Sequence, residues 1–111
     1  MPEFSDCFIE AYDELDNTIL VRNTSVLFYN SIAAICWHKP GRTQKTVGYG
    51  IVCNVDTTKT TIQILTLCEN YQVMITNMLK GGKRADYLEI YIRPAIFDDE
   101  LKNVIDVLEG K

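Results

Sequence analysis

Residues 47–67 read VGYGIVCNVDTTKTTIQILTL, and the fold turns on this stretch. Val47, Tyr49, Ile51, Cys53 and Val55 alternate with Gly48, Gly50, Val52 and Asn54, which is the period of a strand. Asp56-Thr57-Thr58-Lys59 then supplies a turn, and the return run Thr60–Leu67 sets Ile62 and Ile64 on one face. The segment is expected to be an antiparallel hairpin, with its threonines placed where β-branched side chains suit a pleated surface. Gly48 and Gly50, two apart on one face, mark a site where the sheet coils sharply or another backbone comes close.

The same period extends outward from the hairpin. Upstream, Ile19 and Val21 oppose Arg22, Val26–Tyr29 is a second β-rich run, and the apolar stretch Ser31–Trp37 fits a strand buried on both faces. His38-Lys39-Pro40-Gly41-Arg42 forms a turn. Downstream, Tyr87–Ile92 alternates with Leu88, Ile90 and Ile92 inward and Tyr87, Glu89 and Tyr91 outward, and Pro94 ends it. Tyr71–Leu79 fits two readings. As a helix it presents Tyr71, Met74, Ile75, Met78 and Leu79 and stops at Gly81; as a strand it presents Tyr71, Val73, Ile75, Asn77 and Leu79. The strand is favoured, because Val, Ile, Thr and Tyr dominate and turn residues bound the run. Lys80-Gly81-Gly82-Lys83-Arg84 would then be a hairpin turn.

Helices are expected at both ends. Phe4–Leu15 contains the N-cap candidate Ser5 and carries Phe8, Tyr12 and Leu15 at helical spacing. Asp98–Leu108 carries the stripe Leu101, Val104, Ile105 and Leu108, with Asp98, Asp99 and Glu100 at the positive end of its dipole. Gly110 stands where such a helix would stop. The 111 residues show no repeat or linker and suffice to bury one core, about two-thirds of the unfolded surface. The expectation is one α+β domain, 1–111. It comprises an acidic N-terminal helix (1–16), a β core (17–97) of six or seven antiparallel strands in a partly open barrel or strongly coiled sheet, and a C-terminal helix (98–111). In element order this is similar to the pleckstrin-homology superfold, whose barrel is capped by a C-terminal helix.

Charge is unevenly spread along the chain. Residues 1–16 hold six acids and no base, 17–97 hold nine bases against four acids, and 98–111 hold five acids against two bases, for a net charge of −4. The acidic start is the opposite of a secretory or mitochondrial leader, and no apolar run reaches the roughly 20 residues of a membrane helix. A cytoplasmic or nuclear location, not a secreted one, is expected. Cys7, Cys36, Cys53 and Cys68 include no CxxC pair, so reduced, packed cysteines are expected rather than a metal site.

Catalytic chemistry finds little support. His38 is the sole histidine and sits beside Pro40-Gly41. Cys36 lies two positions earlier, and a strand separation of about 6–7 Å is wide for a thiolate–imidazole pair. Neither a phosphate-binding glycine loop nor a nucleophile elbow occurs. No cofactor is expected. A non-enzymatic binding module of adaptor or inhibitor type is the leading expectation, with Tyr87, Glu89, Tyr91 and Arg93 as an outward protein-binding face rich in interface residue types. The alternative is an anion-binding domain. Its loops Lys39, Arg42, Lys45 and Lys80, Lys83, Arg84 would meet at one barrel end and take phosphoinositide or nucleic-acid phosphates. An exposed edge strand would also allow a homodimer.

Overall fold

The computed structural model describes residues 7–22, 27–39 and 44–95. The strands are β1 (Cys7–Asp13), β2 (Thr18–Arg22), β3 (Ile32–Trp37), β4 (Lys45–Val55), β5 (Lys59–Leu67) and β6 (Ile90–Pro94). Two helices, α1 (Gln72–Gly81) and α2 (Arg84–Tyr87), stand between β5 and β6. The strands pair antiparallel in the order β1-β2-β5-β4-β3-β6 and close into a barrel, with β6 returning to β1 through Cys7–Ile92 and Phe8–Tyr91. The barrel is closed rather than partly open, and each of its six strands has a neighbour on both sides. The expected route to a homodimer, a wholly free edge strand, is therefore absent from the described sheet.

The β4–β5 hairpin forms over the expected residues, but register shifts between Tyr49 and Gly50 and between Val52 and Asn54 put Val52 on the inward face with Val47. Ile62 and Ile64 on β5 and Val47 and Val52 on β4 enter the core. Gly48 and Gly50 explain how the two strands pack so closely. A Cβ at Gly48 would lie 2.5 Å from the Thr66 carbonyl oxygen, and one at Gly50 would lie 2.6 Å from that of Gln63. Strand β3 is buried on both faces, as its composition implies: Ala33 and Ile35 face the barrel interior, while Ala34 and Cys36 belong to a separate outer cluster.

The N-terminal expectation is corrected. Cys7–Asp13 is a strand, followed by a turn to Asn17, whose φ is 56°. The reason is a bulge: the β1–β2 register shifts between Ile9 and Ala11. One inserted residue brings Ile9 and Tyr12 to the same core at a spacing of three, which imitates helical periodicity. Phe8 and Leu15, the other members of the supposed stripe, are exposed.

Residues 71–81 also depart from expectation. They form α1, whose Ile75 and Leu79 are fully buried in the barrel core with Tyr71, Met74 and Met78 packed beside them. A helix is needed because this end of the barrel must be stoppered. A single helical face can insert two apolar residues there without leaving an unpaired strand edge. Tertiary context has overridden the β-propensity of Val, Ile and Thr. The C-cap is Gly82 rather than Gly81, with φ 66° and its amide donated to the Met78 carbonyl. Lys80–Arg84 therefore joins two helices and is not a hairpin turn.

Two smaller corrections concern strand limits. Residues 27–29 of the expected Val26–Tyr29 run are a loop, followed by Asn30, whose amide donates to the Val52 carbonyl at 2.7 Å; Val26 lies outside the described residues. Leu88 is exposed rather than inward, because β6 begins only at Ile90; Ile90 and Ile92 do face the core. The expected C-terminal helix, 98–108, lies outside the described residues.

Candidate functional site

The proposed tyrosine face does not assemble as one surface. Tyr87 lies on α2, half-buried, and donates its hydroxyl to the Leu79 carbonyl at 2.8 Å. Burial and the nearby Tyr12 push the Tyr87 phenol above its ordinary range. Glu89 precedes β6 and accepts the Trp37 indole N–H at 3.1 Å. Tyr91 and Arg93 do share the outward face of β6, but Tyr91 is buried, and Arg93 donates to Thr46 Oγ1 at 3.3 Å. The strand alternation assumed from sequence fails because α2 ends only at Tyr87 and a turn through Leu88 and Glu89 precedes β6.

The basic residues are placed differently again. Lys39 is exposed after β3, and Arg42 lies outside the described residues. The Lys45 ammonium donates to the Tyr71 hydroxyl at 3.0 Å and lies 5.7 Å from that ring's centroid. Lys80 pairs with Glu14 at 3.0 Å, which raises the Lys80 pKa through their hydrogen bond. Lys83 and Arg84 are exposed between the helices. The end of β3, the start of β4 and helix α1 stand at one end of the barrel. Yet Tyr71, which holds Lys45, caps the start of α1, and Lys80 stands in its last turn, nine positions on and so about 13–14 Å along the axis.

A further charged cluster was not anticipated. Arg22 and Lys59 both bind the Glu10 carboxylate, across β1, β2 and β5. The hydrogen bond from Lys59 leads in holding Glu10 below the usual carboxylate range, opposed by some desolvation and reinforced by Arg22. With Thr57 and Thr58 these side chains line a depression of about 430 Å³. Its cations already have an anion of the chain's own.

A more inviting concavity opens beside the β1–β6 seam. It measures about 460 Å³ and is lined by Phe8, His38, Gln44, Leu88 and Tyr91. Phe8 and Leu88 keep 46% and 53% of their surface exposed. The Phe8 and Tyr91 rings are 6.2 Å apart at 60°, a tilted pair that fixes one wall. Backbone bonding fixes another, because the His38 amide donates to the Glu89 carbonyl at 2.9 Å. Sequence reasoning passed over these residues since it assigned Phe8 to a helix stripe and Leu88 to the core. No local motif marks them; only the seam brings positions 8, 38, 44 and 88 together.

Cys36 and His38 do not form a reactive pair. Cys36 is buried with its sulfur 3.9 Å from Thr46 Oγ1, whereas His38 is exposed at the depression. Among the described residues no three of His, Cys, Asp and Glu gather as a metal site would require, and no helix is long and apolar enough to cross a membrane. Comparison with protein-family models, curated proteins and solved structures finds no match to this chain.

Proposed function

We propose that this chain is a non-enzymatic binding module of adaptor or inhibitor type, acting through contact with a protein partner at the depression between Phe8 and Leu88. The single observation that carries the reading is the pair of half-exposed apolar side chains at the rim of a concavity with an aromatic wall. Exposed apolar residues scattered singly mean little; two around a depression offer an anchor pocket of the kind that dominates protein recognition. Tyr91 forms part of the floor, which retains one member of the face expected from sequence. The surrounding barrel supplies rigidity, so a partner would dock with little ordering of the backbone.

A photo-crosslinking side chain at Leu88, compared with one at the exposed Asn54 on the far end of β4, tests this reading in native lysate. A discrete adduct is expected from position 88 alone, competed by unlabelled chain and lost on Phe8→Ser. Equal adducts from both positions, or adducts insensitive to Phe8→Ser, would remove the site.

A second reading is phosphate recognition by the basic loops, in a lipid headgroup or a nucleic acid. It is favoured by their placement at the same barrel end, where Lys39, Lys83 and Arg84 are exposed. Binding of that kind would weaken steeply with salt, and replacing Lys80, Lys83 and Arg84 with Ser would flatten the dependence.

A further inference from the structure

Strand register sets two cations face to face at the end of β2 remote from the Glu14–Lys80 contact. Arg22, the last residue of β2, pairs directly with Lys59, the first of β5. Their neighbours Val21 and Thr60 are fully buried, so both cations project from the outer face of the sheet. Like charges at directly opposed positions destabilise a sheet, and the chain answers them with one carboxylate. Glu10 is the residue inserted at the β1 bulge: Ile9 pairs with Val21 and Ala11 with Leu20, which leaves Glu10 no position of its own in the ladder. A bulge re-aims a side chain, and this one sends Glu10 across β2. There Oε2 accepts from Arg22 Nε at 3.1 Å and Oε1 accepts from the Lys59 ammonium.

We propose that this depression is a seat for a phosphoryl group of phosphate-monoester type, and that Glu10 fills it in the free protein as an internal stand-in. Charge favours a dianion, because two cations and one carboxylate line the depression and leave it one positive charge in excess. Donor geometry agrees. Arg22 holds Glu10 through Nε, and its side chain stays 84% exposed while that of Glu10 is 25% exposed, so the guanidinium fork can turn to an anion above the carboxylate. Thr57 and Thr58 complete the wall with hydroxyl-bearing side chains. Their turn is fixed by the Asp56 amide on the Lys59 carbonyl and the Thr57 amide on Asp56 Oδ1, both at 2.8 Å. The depression, about 430 Å³, is many times the roughly 30 Å³ share of one water and admits a tetrahedral anion.

The site shares no residue with the Phe8–Leu88 depression or with the basic loops, and it stands or falls independently of both. It also sets stability against binding. The carboxylate that relieves the Arg22–Lys59 repulsion is the one an incoming anion has to displace.

Titration of the full chain with inorganic phosphate at constant ionic strength, followed through the amide NMR shifts of Arg22, Thr58 and Lys59, tests the seat. The parent should saturate, and Glu10→Gln should bind about tenfold more tightly, because a like charge beside the anion is gone. Phosphate should then raise the Tm of Glu10→Gln more than that of the parent. Arg22→Ser with Lys59→Ser should abolish saturation, whereas Lys83→Ser with Arg84→Ser should bind as the parent does. Weaker or unchanged binding by a folded Glu10→Gln overturns the proposal, as do shifts that chloride reproduces. Should Glu10→Gln unfold, the parent decides: saturation that the Arg22–Lys59 double variant loses supports the seat, and its absence or its survival in that variant overturns it. Glycerol 3-phosphate and phosphatidylcholine vesicles carrying phosphatidic acid then distinguish the source. Binding of the first alone assigns a soluble monoester, binding of the vesicles assigns a lipid headgroup, and binding of neither overturns the monoester assignment.

Discussion

Replacing Gly50 with alanine loads one of the two close backbone approaches between β4 and β5. The new Cβ would sit 2.6 Å from the Gln63 carbonyl oxygen and 2.7 Å from Ile62 Cγ2, against an ordinary contact of about 3.5–4.0 Å. Gly50 has no positive φ, so the backbone conformation itself suits alanine; the cost is steric. Strand β5 would have to retreat by about 1 Å, and Gly50 pairs with both Ile64 on β5 and Ala33 on β3, so relief on one side strains the other. Overpacking of this kind costs about 1–3 kcal/mol, and the lower unfolded-state entropy of alanine offsets about 0.5–1 kcal/mol. A net loss of about 1–2 kcal/mol corresponds to a fall in Tm of about 4–10 °C for a domain this size. Thermal melts and urea titrations read it directly, with the midpoint moving and the slope constant. A Gly50→Ala protein as stable as its parent would refute the close packing of β4 on β5.

Other perturbations have equally definite outcomes. Gly81→Ala, where a Cβ meets nothing within 4 Å, should stabilise helix α1 by about 0.5–1 kcal/mol, while Gly82→Ala, at φ 66°, should destabilise it by a similar amount; paired urea titrations separate them. Ile75→Ala should cost about 2–5 kcal/mol by opening a cavity in the core, whereas Val73→Ala on the exposed side of the same helix should change stability by less than about 0.5 kcal/mol. Tyr87→Phe, which strands the Leu79 carbonyl, should cost about 1 kcal/mol in thermal denaturation. For Glu10 the sign follows from its lowered pKa. The carboxylate stabilises the fold above its unfolded pKa, and that contribution is lost as pH falls through the lower folded value. Glu10→Gln should therefore melt below the parent at neutral pH and match it once the pH lies below the lowered folded pKa; a difference that persists in acid would exclude the ion pair as its cause.

Legibility tracked the length and regularity of each pattern. The β4–β5 hairpin could be read because two β-rich runs flank one clear turn, although register shifts in β4 send Val52 rather than Ile51 inward, and β3 because a double-sided burial shows as a continuous apolar run. Strand β1 could not, since the bulge after Ile9 converts its inward spacing from two to three. Helix α1 was misread because what decides its conformation is a barrel end needing a stopper, a fact located in other strands and invisible in Val73, Ile75 and Thr76. The candidate site suffered most. Tyr91 was picked for its residue type and does line the depression. Phe8 and Leu88 acquire their exposure only from barrel closure and from the late start of β6.

The basic loops illustrate the same limit in electrostatic form. Sequence placed them near one another at one barrel end. Their side chains nevertheless take separate partners there, Lys45 with Tyr71 and Lys80 with Glu14. Which neighbour a lysine finds is set by strand register, and one-dimensional spacing does not encode it.

The decisive measurement is the affinity of the crosslinked partner, once purified, for three proteins: the parent, Leu88→Glu, and the Lys83→Ser, Arg84→Ser pair. A buried carboxylate in an apolar anchor site should weaken binding by about 2 kcal/mol or more, roughly thirtyfold, while the basic-loop variant binds as the parent does. Unaltered binding by Leu88→Glu, with loss in the basic-loop variant, would contradict the apolar site and transfer recognition to the charged end of the barrel.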